Sequence, residues 1–203
     1  KARESGHRVA VMMIDLDHFK VINDSLGHDM GDALLRLAAE QLRVIVGDAG
    51  LVARVGGDEF MVMLSGPDAG EAAERLAGRI VDQMRQPFNI SGHDLFATAS
   101  VGISRYPDDG GDIGELVKKA DTAMYRAKQQ GRNRMETYSV AMEEKVRERL
   151  SIVSRLRLSL GTMSGFYLLY QPQLDLKTGR LIGAESLIRW TLPDIGSVPP
   201  GMF

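Results

Sequence analysis

The chain has 203 residues, a length that predicts one domain and part of another. Its 44% hydrophobic and 26% charged residues are typical of a globular protein, and a net charge of -2 gives no electrostatic basis for nucleic-acid binding. It has no cysteine, which excludes disulfides and thiolate chemistry, and no apolar run near the ~20 residues that cross a bilayer. We therefore expect a cytoplasmic segment without membrane contact, cut from a longer protein such as a sensor.

The first predicted element is a strand over residues 9–14, because a continuous apolar run is typical of a strand buried on both faces. Asp17 is predicted to cap a short helix that begins at His18. A strand that runs into a helix N-terminus leaves free backbone N–H groups, which bind phosphate. An ordinary capped helix is the alternative, but it does not explain Asp15, a second acid at the end of a buried strand.

Residues 26–32 are predicted to form a Gly-rich connection to the next helix. Two apolar runs, residues 51–54 and 61–64, then flank a glycine pair and predict a β-hairpin. Asp58 and Glu59 follow the glycines, and neighbours on a strand point to opposite faces, so the two acids suit two different roles. A solvated acidic hairpin tip is the alternative that this stretch alone leaves open.

Capping-box pairs at residues 68 and 71 and at residues 112 and 115 predict two further helix starts. A second hairpin is predicted, in which residues 88–90 and a strand over 95–103 flank a turn at 91–94, with the odd-numbered side chains of that strand on one face. An edge strand is predicted at 135–138. The helix after residue 32 and the two helices that begin at these capping boxes are each predicted to bury aliphatic and small side chains at helical spacing. In chain order these are Leu34, Leu37, Ala38, Leu42 and Ile45; Ala73, Leu76, Ala77, Ile80 and Met84; Leu116, Val117, Ala120, Met124 and Ala127. Hairpins that alternate with helices predict an α+β, ferredoxin-like fold, with a central mixed sheet flanked by helices.

A long amphipathic helix is predicted over residues 139–160, and we interpret it as a core or linker helix. Its predicted apolar face repeats every three or four residues: Met142, Val146, Leu150, Val153, Leu156 and Leu160. Strands over residues 166–176 and 181–190 belong to a new unit. We expect a first domain over 1–138, a connecting helix over 139–162 and a further unit over 163–203.

Asp15 and Asp58 are predicted to end neighbouring strands as a pair of carboxylates, which repel unless a cation lies between them. Oxygen ligands without Cys or His suit Mg²⁺ or Mn²⁺, and Mg²⁺ commonly takes one or two carboxylates plus substrate phosphates. Lys20, Lys128 and Arg132 are available to neutralise a triphosphate, although the last two also suit a helix C-terminus without any ligand. Two acids, Mg²⁺ and a nucleoside triphosphate indicate nucleotidyl transfer.

The stretch Gly56-Gly57-Asp58-Glu59-Phe60 resembles the motif that names the GGDEF family of diguanylate cyclases. Further family-like segments follow the family's order and spacing: residues 13–20, 23–24, 27–32, 120–128 and 131–133. The resemblance covers residues 8–138 and implies a cyclase-type fold. It also implies condensation of two GTP molecules into cyclic di-GMP with release of pyrophosphate, in a homodimer whose two sites face each other.

By this resemblance, Asp15 and Asp58 look like the Mg²⁺ ligands, helped by the backbone carbonyl of Leu16. Glu59 looks like the general base, or metal-assisted activator, of the ribose 3′-hydroxyl. The backbone amides of His18 and Phe19, with Lys20, Lys128 and Arg132, look like the phosphate cradle.

Asn23 and Asp32 look like the guanine-recognising residues, with His28 either lining the base pocket or serving as a loop histidine. The physical chemistry agrees for Asp32, because a carboxylate accepts hydrogen bonds from the ring N–H and exocyclic amine of guanine, whereas adenine offers no such pair. A polar site left without its partners discriminates strongly against the wrong base.

Two features depart from the family. Many members carry an Arg-x-x-Asp product-inhibition site, but residues 47–50 read Gly-Asp-Ala-Gly, so we expect no feedback inhibition through that site. The family's usual N-terminal helix, with a Leu-Thr-Gly-Leu-type segment, is missing from the sequence.

Residues 168–190 resemble the opening of an EAL phosphodiesterase domain, with the family triad as Glu185-Ser186-Leu187. Glu185 would match a metal ligand, and Gln171 and Arg189 would match ligand-contacting positions. A full domain is a (β/α)₈-type barrel of ~250 residues. We therefore expect residues 163–203 to be the first strands of an incomplete barrel, without phosphodiesterase activity of their own.

An active diguanylate cyclase is the leading hypothesis, because Asp15, Asp58 and Glu59 are intact. The alternative is a non-catalytic GTP-binding module that regulates an attached EAL phosphodiesterase domain. A purely structural role would leave two acids unexplained at the edge of an apolar core.

Overall fold

The computed structural model describes residues 8–203, so the first seven residues of the predicted 1–138 domain lie outside the described residues. The chain forms two compact units, one ending at Met142 and the other comprising Glu143–Phe203. Among residues 8–203, no helix combines the length and apolar character that a membrane crossing requires.

The first unit is built on a five-stranded sheet with the strand order β2-β3-β1-β6-β7. Its strands are β1 (Arg8–Asp17), β2 (Gly50–Gly56), β3 (Glu59–Gly66), β6 (Thr98–Tyr106) and β7 (Arg134–Thr137). The pairs that β1 forms with β3 and β6 are antiparallel, whereas β7 runs parallel to β6 at the sheet edge. The C-terminal end of β1 therefore lies between the first residues of β3 and β6.

Four helices cover this sheet: α1 (Phe19–Leu26), α2 (His28–Val46), α3 (Ala69–Met84) and α4 (Ile113–Gln129). Central strand β1 is buried on both faces, as its apolar run predicts. Its even-numbered side chains, including Met12 and Ile14, join the core formed with α2 and α3. Its odd-numbered Val11 and Met13 pack against the α4 side chains Leu116, Ala120 and Met124. The predicted mixed sheet flanked by helices is confirmed.

A short hairpin of β4 (Phe88–Ile90) and β5 (His93–Leu95) forms a separate two-stranded sheet. It confirms the second predicted hairpin. The predicted continuous strand from residue 95 to 103 is interrupted, however, because β6 begins at Thr98. The side chains at 95, 97, 99, 101 and 103 nevertheless all join the same core, as their alternation predicts.

Two local predictions in the first unit are wrong. Residues 28–32 are not a loop, because α2 begins at His28, directly after Gly27 turns the chain with φ of 87°. Asp17 does not cap α1, whose N-cap is His18, in a left-handed conformation with no capping side chain. Asp17 instead ends β1 with its side chain buried, for the reasons given below.

The second unit contains most of α5 (Val140–Thr162), followed by β8 (Phe166–Leu174), β9 (Leu181–Leu192) and β10 (Gly196–Val198). The three strands form an antiparallel sheet in the order β10-β9-β8, which confirms the two predicted long strands. Short 3₁₀ turns follow at Pro200–Met202 and, in the first unit, at Gly47–Ala49. The expectation that β8 and β9 open a (β/α)₈-type barrel stays a prediction.

The helix α5 buries only part of the face that its sequence pattern predicts, since Met142 is buried and Leu156 packs against a buried cluster. Leu150, Val153 and Leu160 are exposed, whereas Ile152 is buried against Trp190 in a cluster that also contains Leu156. The stacked rings of Trp190 and Phe166 lie 5.6 Å apart and create this cluster. A single large indole therefore selects the stripe of the helix that becomes buried.

Candidate active site

Asp15 lies at the end of β1 on the odd-numbered face that α4 covers. Its side chain is 6% exposed, and its cross-strand neighbours are Glu59 on β3 and Ser100 on β6. Lys128, from the last turn of α4, places its Nζ 2.6 Å from Asp15 Oδ2. The alternation of β1 therefore directs a buried carboxylate toward the helix that supplies its cationic partner.

Burial raises the pKa of Asp15 above its ordinary value, since a charged carboxylate loses hydration there. The hydrogen bond and charge of Lys128 oppose this rise, but the nearby charges of Asp58 and Asp17 add to it. The result is a carboxylate crowded by two other acids and neutralised by one lysine. Such an environment favours an additional cation.

The hairpin between β2 and β3 positions Asp58 and Glu59. Gly57 has φ of 53°, a left-handed conformation that a residue with a Cβ resists, and Arg54 Nε donates a 2.9 Å hydrogen bond to the Gly57 carbonyl oxygen. The backbone N–H of Leu16 donates to the carbonyl oxygen of Asp58 at 3.3 Å. The turn is thereby held against the end of β1, with both of its acids half-buried.

The residues predicted to bind phosphate lie at the same end of the sheet but in different environments. His18 and Lys20 are exposed, while the Phe19 side chain is buried in the core, so that only its backbone is available to a ligand. Arg132 is exposed in the turn after α4, where its N–H donates to the Ala127 carbonyl oxygen at 3.0 Å. Lys128 is engaged by Asp15.

The residues predicted to recognise guanine lie on the adjoining helices α1 and α2. Asn23 Oδ1 is buried without a hydrogen-bond partner among the described residues. A Cβ on Gly31 of α2 would approach this oxygen to 1.8 Å, so Asn23 occupies the space that the glycine leaves. Asp32 and His28 are exposed on α2. No hydrogen bond or ion pair within residues 8–203 joins these side chains to the carboxylates.

A surface groove of about 310 Å³ lies between α2 and β2. It is lined by Asp32, Leu35, Arg36, Ala39 and Arg54. Arg54 is therefore shared between the groove and the hairpin turn, a position that the sequence analysis missed. In the sequence, Arg54 lies two residues before the glycine pair on a predicted strand, and this position could have identified it as a neighbour of the site.

The donor set fits a hard divalent cation. Asp15 and Asp58 are carboxylates close enough for their charges to interact, and the backbone carbonyl of Leu16, the third predicted ligand, would add a neutral oxygen. Within residues 8–203, no group of three or more His, Asp or Glu side chains is arranged to hold a metal ion by itself. Two carboxylates and a carbonyl match the way in which Mg²⁺ binds together with substrate phosphates.

The family model described as "Diguanylate cyclase, GGDEF domain" matches residues 1–134. The chain belongs to the GGDEF-domain family. The resemblance stated from the sequence is therefore confirmed for the first unit, whereas the EAL-like character of residues 163–203 stays a prediction.

Curated relatives are proteins about three to four times longer than this chain. The "Signaling protein YkoW" of Bacillus subtilis is 42% identical over 198 residues, which are 97% of this chain and 25% of that protein. The "Bifunctional diguanylate cyclase/cyclic di-GMP phosphodiesterase MucR" of Pseudomonas aeruginosa is 40% identical over 203 residues, 100% of this chain and 29% of that protein. The "Cyclic di-GMP phosphodiesterase NbdA" of the same organism is 40% identical over 99% of this chain. The chain thus spans about a quarter of the length of these relatives.

Solved GGDEF structures share the fold of the first unit. The GGDEF domain of YfiN, or TpbB, from Pseudomonas aeruginosa has a TM-score of 0.66 and 38% identity, and it covers 68% of this chain and 87% of its own. The "active GGEEF domain of a diguanylate cyclase" from Vibrio cholerae has a TM-score of 0.63 and 31% identity over 68% of this chain and 87% of its own.

Proposed function

We propose that this GGDEF domain is an active diguanylate cyclase, which condenses two GTP molecules into cyclic di-GMP and two pyrophosphates. The observation that carries the proposal is the buried Asp15, which lies beside the charge of Asp58, opposite Glu59 in the sheet register and 2.6 Å from Lys128. The core of the fold does not require this concentration of acids. The name of the Vibrio cholerae relative, which describes an active domain, supports the same reaction.

In the proposed reaction, the ribose 3′-hydroxyl of one GTP attacks the α-phosphorus of the other. Glu59 takes the hydroxyl proton as general base or metal-assisted activator, a new phosphodiester bond forms, and the bond to the leaving pyrophosphate breaks. The same step in the opposite direction closes the ring. Mg²⁺ or Mn²⁺ held by Asp15, Asp58 and the Leu16 carbonyl would supply Lewis-acid polarisation of the phosphate oxygens.

The positive groups around the carboxylates are assigned to the triphosphate. The side chains of Lys20 and Arg132 are exposed, and the backbone amides of His18 and Phe19, which follow β1 directly, would act with them. Lys128 neutralises Asp15 in the structure. A divalent cation at Asp15 would take over this neutralising charge, and the ammonium group of Lys128 would then be available to the phosphates.

Guanine recognition is assigned to Asn23 and Asp32, with His28 beside them. The unpartnered Oδ1 of Asn23 supports this assignment, because a buried polar atom without a partner costs free energy unless a ligand satisfies it. Each domain would bind one GTP, so the proposed reaction needs a homodimer in which two sites face each other.

A GTP-binding regulatory module is the second candidate function. It is favoured by the names of relatives such as NbdA, a cyclic di-GMP phosphodiesterase that is 40% identical over almost the whole chain. The second unit supports an EAL-like neighbour, because Gln171 and Glu185 are direct cross-strand partners on β8 and β9. Under this alternative, GTP bound by residues 8–138 would control an attached phosphodiesterase domain.

Glu59→Gln separates the two candidates. We expect the variant to bind GTP in calorimetry with nearly unchanged affinity but to form no cyclic di-GMP, since its side chain keeps its size and loses the base. Glu40→Gln, on the exposed side of α2, is the matched control and should retain synthesis. Synthesis by Glu59→Gln at the wild-type rate would refute the assignment of Glu59, and GTP binding without any wild-type synthesis would favour the regulatory module.

A further inference from the structure

Asp17 is a buried acid to which the proposed reaction gives no role. It is 3% exposed, and within residues 8–203 it forms no ion pair with a cation. Three neutral donors satisfy it instead. Thr98 Oγ1 and Ser100 Oγ donate to its two carboxylate oxygens, each at 2.7 Å, and the backbone N–H of Asn133 donates to Oδ2 at 3.0 Å.

The Asn133 contact is the unusual one, because it fixes a strained turn. Gly131, Arg132 and Asn133 have consecutive positive φ angles of 112°, 63° and 50°. A left-handed conformation is unfavourable for a residue with a Cβ, above all for Arg132, so the turn needs contacts that hold it. Three further bonds support the turn: Arg132 N–H donates to the Ala127 carbonyl, and Arg85 donates to Asn133 Oδ1 and to the Asn133 carbonyl.

The position of this turn links it to the nucleotide. It follows α4, which ends one residue after Lys128, and it carries Arg132 at its centre. Asp17 ties the turn to the end of β1, two residues beyond Asp15. Because the two oxygens of one side chain accept all three hydrogen bonds, Asp17 joins the turn to both β1 and β6.

We propose that Asp17 is a positioning residue for the triphosphate: it holds the Gly131–Asn133 turn so that Arg132 is directed at the phosphate tail. The inference rests on the proposed binding of GTP, and it assigns no contact between Asp17 and the substrate. Removing the Asp17 carboxylate should therefore weaken the binding of a nucleoside triphosphate more than the binding of a monophosphate.

The test compares the affinities of two nucleotides by calorimetry with Mg²⁺: α,β-methylene-GTP, which cannot release pyrophosphate, and GMP. Asp17→Ala should weaken binding of the triphosphate analogue by about tenfold, the effect of losing one charge-assisted hydrogen bond, and should change GMP binding less than about twofold. Asp17→Asn should recover most of the affinity, because its amide oxygen still accepts from Asn133 while its NH₂ group donates to Ser100.

Ser104→Ala is the matched control. It removes another buried hydrogen bond of β6, from Ser104 Oγ to the Leu116 carbonyl, which does not involve the turn. This variant should lower the melting temperature without changing the ratio of the two affinities. A loss of equal size for both nucleotides in Asp17→Ala would make Asp17 a general packing residue and would overturn the proposal.

Arg132→Ala tests whether Asp17 acts on triphosphate binding through Arg132. Because Asp17 is proposed to act through Arg132, adding Asp17→Ala to Arg132→Ala should change the affinity for the triphosphate analogue less than about twofold. A full additive loss would refute the route through Arg132. An absence of any nucleotide binding by the wild-type chain would instead contradict the proposed function.

Amide hydrogen exchange tests the tether, the hydrogen bond from the Asn133 N–H to Asp17, without nucleotide. Its decisive result comes from the wild-type chain and does not depend on the folding of a variant. The Asn133 amide should exchange slowly in the wild-type chain, in Ser104→Ala and in Asp17→Asn, which keeps an acceptor for it, and faster in Asp17→Ala. Exchange at the rate of an unstructured peptide in the wild-type chain would overturn the tether, whether or not the Asp17→Ala variant folds.

Discussion

At the scale of single residues, Asp15 combines a proposed catalytic role with a cost to stability. Its pKa is raised in the folded state by burial first, and then by the charges of Asp58 and Asp17, although Lys128 opposes both effects. A raised carboxyl pKa means that the folded state favours the protonated form. Ionisation of Asp15 therefore lowers the free energy of unfolding at neutral pH. We interpret this loss of stability as the cost of a carboxylate placed to bind a cation.

We expect Asp15→Asn to raise the melting temperature by a few degrees at pH 7 without divalent cations. The folded pKa lies above the ordinary 3.8, so the wild-type carboxyl is fully stabilising below that pH and becomes destabilising as pH rises through the folded pKa. The difference in melting temperature should accordingly vanish below pH 3.8. Asp24→Asn, an exposed acid, is the control, and a lower melting temperature for Asp15→Asn at pH 7 would contradict the argument.

Gly31 offers a second test, since its missing side chain makes room for Asn23. Gly31→Ala should lower both stability and GTP affinity, because the new Cβ would lie 1.8 Å from Asn23 Oδ1 and 2.9 Å from its Cγ. Gly78→Ala in α3 is the matched control: nothing lies within 4 Å of its Cβ, so it should gain up to about 1 kcal/mol of helix propensity. Thermal unfolding and calorimetry measure both effects, and an equal gain for the two variants would refute the packing of Asn23 against Gly31.

The two acids at the end of β1 show which site residues can be predicted from the sequence and which cannot. Asp15 was recognisable because an acid at the end of an apolar run has no place in a core. Asp17 was misassigned as a helix cap, since its three hydrogen-bond donors come from residues 98, 100 and 133, and only the folded sheet brings them together.

At the scale of elements, the two capping boxes show that one sequence pattern has two outcomes. Both predicted helix starts are confirmed, because Asp112 is the N-cap of α4 and Asp68 is the N-cap of α3. Asp112 accepts a hydrogen bond from the Glu115 N–H at 2.9 Å, and Glu115 Oε2 accepts from the N–H of Gly111, one residue before the cap, at 2.8 Å. The side chain of Asp68, by contrast, makes no capping hydrogen bond. Asp68 lies near Arg75 instead, at 3.7 Å.

We expect Asp112→Ala to lower the free energy of unfolding by about 1 kcal/mol, the usual cost of losing an N-cap. Asp68→Ala is its matched control and should cost less than about 0.5 kcal/mol, because it removes only an exposed ion pair. Urea denaturation of the two variants measures the difference. Equal losses would show that the capping bond at α4 contributes nothing.

The hairpins and helix faces of the first unit were predictable because local alternation and helical spacing dictate them. The early start of α2 was not, because residues 28–32 look like a loop unless Gly31 is known to face Asn23. The buried stripe of α5 was also not predictable, since Trp190 lies 38 positions beyond Ile152 in the sequence and selects it by packing.

At the scale of the whole molecule, one chain provides one proposed GTP site, and the reaction needs two. The specific rate of cyclic di-GMP synthesis should therefore rise with protein concentration below the dimer dissociation constant and become constant above it. Initial rates over a wide dilution series, compared with the oligomeric state by light scattering, measure this dependence. A specific rate that stays constant in samples shown to be monomeric would contradict the face-to-face dimer.

The chain aligns over nearly its full length with proteins about four times longer, whose names cover both synthesis and breakdown of cyclic di-GMP. The chemistry proposed for Asp15, Asp58 and Glu59 belongs to the first unit and is testable with the chain as given.

The most direct measurement follows nucleotides over time by ion-exchange chromatography after this chain is mixed with GTP and Mg²⁺. We predict that two GTP molecules disappear for each cyclic di-GMP formed, with two pyrophosphates released, and that the reaction stops when EDTA is added. Unchanged GTP from a dimeric, GTP-bound sample would contradict catalysis and favour the regulatory module. Formation of GDP and phosphate would contradict attack at the α-phosphorus.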